Sequence, residues 1–159
     1  MISEKLQKLA LDIGQKLKEN GQTISIAEST TGGLISAALL SVDGASAFYA
    51  GGSVVYTRVS RKAFLDIDKT KLVDLKPLTE EMVSVFAEAA REKLDATWGV
   101  AELGASGPSD SPYGHPAGSS VLAVSGPTNA ATSVRTGNND RQANMTAFSE
   151  AALTLILDT

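Results

Sequence analysis

The chain has no cysteine, which excludes disulfides, thiol catalysis and cysteine-bound zinc. It has one histidine, His115, which leaves little for a histidine-based metal site. Basic residues are outnumbered, with 14 Lys and Arg against 18 Asp and Glu. The resulting net charge of −4 argues against a broad nucleic-acid surface. No apolar run approaches the roughly 18 residues of a membrane span. The start, Met1-Ile2-Ser3-Glu4-Lys5, lacks a signal-peptide core. A cytoplasmic chain with neither nucleic-acid nor membrane partners is therefore expected. With 159 residues, 43% of them hydrophobic, the chain suits a single domain, 1–159, built on one sizeable core.

Periodicity orders the elements. Ser3 caps a first helix with a stripe of Leu6, Leu9, Ala10, Ile13 and Leu17, and Asn20-Gly21 stops it. Thr23 to Ala27 reads as a strand, Leu34 to Leu40 as a buried helix, and Gly52 to Thr57 as a second strand. Ser60 suits the cap of a short helix with Ala63, Phe64 and Ile67 apolar. A long helix starts near Thr79-Glu80-Glu81, with Val83, Phe86, Ala87, Ala90 and Leu94 inward. Thr97 to Leu103 is a third strand. Ser119 to Val124 and Thr132 to Thr136 form a hairpin through Gly126-Pro127-Thr128-Asn129. Asp140 to Leu157 closes the chain as a helix with Met145, Phe148, Ala152 and Leu155 on one side. The fold class is α/β: one three-layer α/β/α domain with a mixed, mostly parallel sheet.

Three loops of small residues follow strands, where open α/β sheets gather ligands. The first is Glu28-Ser29-Thr30-Thr31-Gly32-Gly33. It lacks the Gly-Lys-Ser/Thr ending of a P-loop, and Ala27 stands where a Gly-x-Ser-x-Gly elbow needs glycine. Its helix start suits an anion or an oxyanion, and it equally suits a plain capped turn. The second runs from Thr57 to Ser60. It follows Tyr56, a residue more often a buried ring than a catalyst, and opens a basic group of Arg58, Arg61 and Lys62. The third, Gly104 to Gly118, is about fifteen residues long, enough to suspect a binding loop. It carries His115, whose imidazole has the only unperturbed side-chain pKa near neutral.

Together these stretches resemble the C-terminal domain of the CinA family, the nicotinamide-nucleotide amidohydrolases. Ala27-Glu28-Ser29-Thr30-Thr31-Gly32-Gly33 is similar to the family's A-E-S-C-T-G-G, and Gly52-Ser53-Val54-Val55-Tyr56 to its G-x-V-x-Y. Leu103-Gly104-Ala105-Ser106-Gly107-Pro108 is similar to T-G-I-A-G-P, and His115-Pro116-Ala117-Gly118-Ser119 to K-P-x-G-T. The resemblance implies deamidation of nicotinamide mononucleotide, giving nicotinic acid mononucleotide and ammonia. It implies no metal and no cofactor, a small nucleotide as ligand, and a homodimer. It assigns Ser29 as nucleophile with Tyr56 assisting.

The family's lysine lies five residues after its tyrosine, where this chain has Arg61. A guanidinium effectively never deprotonates, so Lys62 and His115 become the candidate bases. Thr30, Thr31, Gly32 and Gly33 at the helix start, Arg58, and Gly104, Ser106 and Gly107 in the third loop are the expected substrate contacts. Asn139 stands where the family has an arginine before the last helix, with Arg141 close enough in sequence to replace it. The alternative is a homologue that binds a nucleotide or small anion without turnover, or a hydrolase of another small amide.

Overall fold

Ser3 accepts a hydrogen bond from the Leu6 N–H and starts helix α1 (Glu4–Glu19). Leu6, Ala10, Ile13 and Leu17 of the expected stripe are buried, and Asn20 ends the helix. The structure, a computed structural model, describes residues 2–159; the expected domain's first residue, Met1, lies outside them. The chain continues through β1 (Ile24–Glu28), α2 (Leu34–Leu40), β2 (Tyr49–Val54), α3 (Arg58–Phe64) and α4 (Glu80–Lys93). It then forms β3 (Trp98–Ala105), β4 (Ser119–Ser125), β5 (Ala130–Arg135) and α5 (Arg141–Asp158). Among the described residues, no helix is long and apolar enough to cross a membrane.

The sheet order is β2-β1-β3-β4-β5. β1 runs parallel to β2 and β3, while β3–β4 and β4–β5 are antiparallel. Only β4 opposes the other strands, so the sheet is mixed, with most strands pointing one way. Alternation along the strands splits the core in two. Ile24, Ile26, Trp98, Val100, Leu122 and Val124 face α1, α2 and α5. Ala27, Ala101, Leu103, Val121 and Ala123 face α4. The α4 side is lined by small residues, and α4 sits correspondingly close. At Gly99 a Cβ would come within 2.1 Å of the Ala87 carbonyl oxygen.

Three expectations are corrected. The second strand starts and ends three residues earlier than Gly52 to Thr57. Its length is set by pairing with β1, which finishes at Glu28 opposite Val54. The third helix is capped by Thr57, and Ser60 is its partner in a capping box, so the helix ends at Phe64 without Ile67. The stripe of α5 is also shifted. Phe148 and Ala152 are buried as expected, but Leu153 and Ile156 join them, while Met145 and Leu155 are only half-buried. That helix is apolar on most sides, so spacing alone did not choose the face.

Candidate functional site

The opening loop is organised by two glutamates from neighbouring strand ends. Glu28 ends β1 and turns its carboxylate to the start of α2. Its Oε1 accepts from the Thr31 hydroxyl (2.7 Å), the Gly33 N–H (2.9 Å) and the Ile35 N–H (3.1 Å). Its Oε2 accepts from the Ser36 N–H (3.0 Å). Gly33 holds φ at +99°, the left-handed turn that points these N–H groups back at Glu28. The helix N-terminus is thus filled by the chain's own anion. This corrects the expectation that Gly32 and Gly33 open a free anion or oxyanion site. The Gly32 N–H is also taken, by the Ser29 carbonyl at 3.1 Å.

Glu102, paired opposite Glu28 on β3, is fully buried. Its Oε2 accepts from the Ser29 N–H (3.0 Å) and the Thr31 N–H (3.1 Å), and lies 3.0 Å from the Thr31 hydroxyl, whose one proton is shared with the closer Glu28 Oε1. Glu102 Oε1 accepts from the Thr30 hydroxyl; the Ser120 hydroxyl, 3.4 Å away, donates at 3.1 Å to the Leu103 carbonyl. Burial pushes the Glu102 carboxyl above the usual carboxylate range, while the bonds from Thr30, Thr31 and Ser29 pull the other way. Sequence reasoning missed both glutamates as organisers. A glutamate in a strand reads as solvent-facing, and only its spatial neighbours reveal otherwise.

A cleft of about 340 Å³ opens beside this loop. Thr30, Tyr56, Gly104, Ser106, Gly107 and Arg141 all line it, with the remainder of the wall coming from Ala105 and from Pro108 to Pro112. Arg141, at the start of α5, donates to the Gly107 carbonyl (2.5 Å) and to the Tyr56 hydroxyl (3.4 Å). Tyr56 is 53% exposed, which corrects the reading of its ring as a core group. Val55, its neighbour, is buried instead. The Ser106 hydroxyl is buried and has no hydrogen-bond partner among the described residues.

Other expected residues are not brought into this cleft. Ser29 is 4% exposed and adjoins the wall through Thr30, but it does not line it. Its hydroxyl makes no hydrogen bond among the described residues. Thr31 is fully buried between the two glutamates. Arg61 donates from Nε to the Val55 carbonyl (3.1 Å), and its guanidinium lies 5.3 Å from the centroid of the Phe86 ring. Desolvation lowers its pKa from the ordinary arginine value. Lys62 points to solvent, 70% exposed, and pairs with Asp66 one turn on. His115 is tied through its backbone to Ser111 and lines no part of the cleft. Lys62 is held on the outer face of α3 by Asp66, and His115 by the Ser111 turn. Asn139 lines an adjoining depression with Pro108, Asp110 and Ala117. Arg58 reaches the third loop, donating to the Tyr113 hydroxyl at 3.3 Å.

Asn144 was also missed. It is buried on α5, and its Nδ2 donates to the carbonyls of Ser106 (2.9 Å) and Asn138 (2.8 Å). Its Oδ1 accepts from the Thr136 hydroxyl at 2.6 Å. Asn144→Ala is expected to cost about 2–3 kcal/mol, since it orphans buried partners. Hydrogen exchange should show faster opening of Gly107 to Gly118. Unchanged exchange there would mean that Asn144 does not hold the loop.

Residues 6–159 match the CinA C-terminal domain. The chain belongs to that family. A CinA-like protein of Parasynechococcus marenigrum is 39% identical over 123 residues, covering 77% of this chain and 29% of that protein. A CinA-like protein of Cytophaga hutchinsonii is 34% identical over 148 residues, covering 93% of this chain and 35% of the relative. The chain therefore spans about a third of the length of these curated relatives. The crystal structure of the competence/damage inducible protein CihA from Agrobacterium tumefaciens superposes with a TM-score of 0.90 at 26% identity, covering 100% of this chain and 99% of that one. On the CinA fold, then, this chain's cleft uses Arg141 in its wall, with Asn139 beside it in the adjoining depression.

Proposed function

We propose that this chain is an amidohydrolase of the nicotinamide mononucleotide deamidase type. It would release ammonia and leave nicotinic acid mononucleotide, with a hydroxyl from the Ser29–Thr31 segment attacking the carboxamide carbon. By resemblance that hydroxyl belongs to Ser29. The observation that carries the reading is the convergence of three distant segments on one cleft: Thr30 after β1, Tyr56 after β2, and Ser106 after β3, closed by Arg141. The cleft volume of about 340 Å³ falls at the small end of the range for ligand pockets. Arg141 supplies a fixed cation for a phosphate or carboxylate oxygen. Family membership supports the reaction class.

The second reading is a binding homologue without turnover. It is favoured by Arg61, which occupies the family lysine's position and is committed to Val55 and Phe86. Purified protein with nicotinamide mononucleotide separates the two. Ammonia release, abolished when Ser29→Ala and Thr30→Val are combined, supports hydrolysis. Saturable binding in calorimetry without ammonia supports the second reading. Neither ammonia nor binding rejects both for this substrate.

A further inference from the structure

We propose that Arg58, Arg61 and the Tyr113 hydroxyl form a binding site for a phosphate group beside the cleft. The inference goes beyond the hydrolase reading and stands whether or not the chain cleaves an amide.

The chain is acidic, with a net charge of −4, yet three of its five arginines gather by the third loop. Arg141 is engaged in the cleft wall by the Gly107 carbonyl and the Tyr56 hydroxyl. Arg58 and Arg61 lack a counter-ion. The ion pairs among the described residues all use lysine: Lys5 with Glu150, Lys8 with Asp12, and Lys62 with Asp66. Lys62, adjacent to Arg61 in sequence, therefore has its carboxylate, and the two arginines have none.

Their placement is costly without an anion. Arg58 and Arg61 are three residues apart on α3, where like charges oppose each other. Arg61 is also half-buried, and desolvation already disfavours its charge. Its Nε is used by the Val55 carbonyl, which leaves both Nη groups as donors. Glu102 favours the Arg61 charge, but its oxygens are occupied by Ser29, Thr30 and Thr31. Negative charge at the Tyr113 oxygen favours Arg61 more than Glu102 does, and Arg58 donates to that same oxygen at 3.3 Å. The phenol thus marks the position that both cations share. It is about half exposed, one residue beyond Pro112, the last residue of the cleft wall.

The chemistry selects phosphate. A phosphate monoester carries nearly two negative charges at neutral pH and three acceptor oxygens. Two guanidinium groups match that charge, and each can fork onto a pair of oxygens. The Tyr113 O–H can turn to donate to the third. A carboxylate brings one charge and two oxygens, and leaves one arginine unbalanced. Backbone donors play no part, because the N–H groups of Thr57 and Ser60 are closed in the capping box. The phosphate has two sources, the end of a mononucleotide lying in the cleft or free inorganic phosphate.

Calorimetry with inorganic phosphate, in a buffer otherwise free of it, tests the site. Arg58 is exposed, so Arg58→Gln should keep the thermal midpoint. It should weaken phosphate binding about 10- to 100-fold, the loss of a charge-assisted bond. Tyr113→Phe should weaken it about 5-fold. Lys62→Gln removes the same charge from the same helix and should change binding less than about 2-fold. Three results overturn the proposal: no saturable phosphate binding to the unaltered protein, equal losses in Arg58→Gln and Lys62→Gln, or a loss in Arg141→Gln with none in Arg58→Gln.

Nicotinamide mononucleotide and nicotinamide riboside, which lacks the phosphate, separate the two sources. If Arg58→Gln weakens the nucleotide and not the riboside, the site takes the ligand's own phosphate. If it leaves the nucleotide unchanged and still loses inorganic phosphate, the site takes free phosphate. Absence of nucleotide binding, with phosphate binding still dependent on Arg58, rejects the nicotinamide mononucleotide assignment alone.

Discussion

Glu28→Ala is expected to remove about 3–5 kcal/mol of folding stability, measured by urea denaturation. The substitution leaves three backbone donors at the start of α2, Gly33, Ile35 and Ser36, without an acceptor, while the Thr31 hydroxyl keeps Glu102 as its partner. Each buried donor left unsatisfied costs about 1–3 kcal/mol, reduced where water can enter. Domains of this size hold about 5–15 kcal/mol in total, so the loss is a large fraction of the stability and the urea midpoint should fall well below that of the unaltered protein. Glu28→Gln is the informative control. Its oxygen can serve the side that accepts three bonds, but its NH₂ then confronts the Ser36 N–H, donor against donor. About 1–2 kcal/mol should be lost, part of it from the helix dipole. A loss under about 1 kcal/mol for Glu28→Ala would show that the carboxylate does not hold the helix start.

Gly99→Ala should be nearly as damaging for the opposite reason, too much matter rather than too little. The added methyl would sit 2.1 Å from the Ala87 carbonyl oxygen and 2.7 Å from the Arg91 Cβ. Both obstacles belong to the body of α4, not to the tip of a flexible side chain. The helix must lift from β3, loosening Val83, Phe86, Ala87 and Ala90 together. Overpacking of this kind typically costs about 1–3 kcal/mol, and a backbone obstacle belongs at the top of that range or above it. Alanine's smaller backbone entropy recovers only about 0.5–1 kcal/mol. The check is the thermal midpoint beside Gly21→Ala. At Gly21 φ is +62° and nothing lies within 4 Å of a new Cβ, so that variant carries strain without a clash. A Gly99→Ala midpoint no lower than that of Gly21→Ala would contradict the close α4 contact.

Most of the architecture was legible because its signals are local. Ser3, Thr79 and Asp140 each cap the helix that follows, and the spacing of Leu6, Ala10, Ile13 and Leu17 fixes which side of α1 is inward. The limits of β2 were not legible, since they depend on where β1 stops, and β1 stops where Glu28 turns to cap α2. The loops that meet at the cleft could be named from their small residues, but which side chains enter could not. Arg141 and Asn139 are two residues apart, and only the turn into α5 decides that the former reaches Tyr56. Lys62 and Arg61 are adjacent, and the helix sends one to solvent and the other across Phe86. Glu28, Glu102 and Asn144 escaped for a common reason. Their partners are backbone groups and hydroxyls that leave no compositional trace.

The paired glutamates also give the cleft an electric polarity. Two carboxylates lie behind the Thr30 wall, while Arg141 stands in the wall and Arg58 holds Tyr113 of the third loop. Charge held on a buried carboxylate is screened far less by salt than charge at the surface. A ligand with a cationic ring at one end and a phosphate at the other enters such a field already turned, ring toward the carboxylates and phosphate toward the guanidinium groups. A ligand that is anionic along its whole length has no favourable heading. Nicotinamide mononucleotide has the first charge pattern, and nicotinic acid mononucleotide, with a new carboxylate on the ring end, moves toward the second. On the proposed deamidase reading, substrate and product therefore differ in charge at the end that meets the loop shaped by the two glutamates.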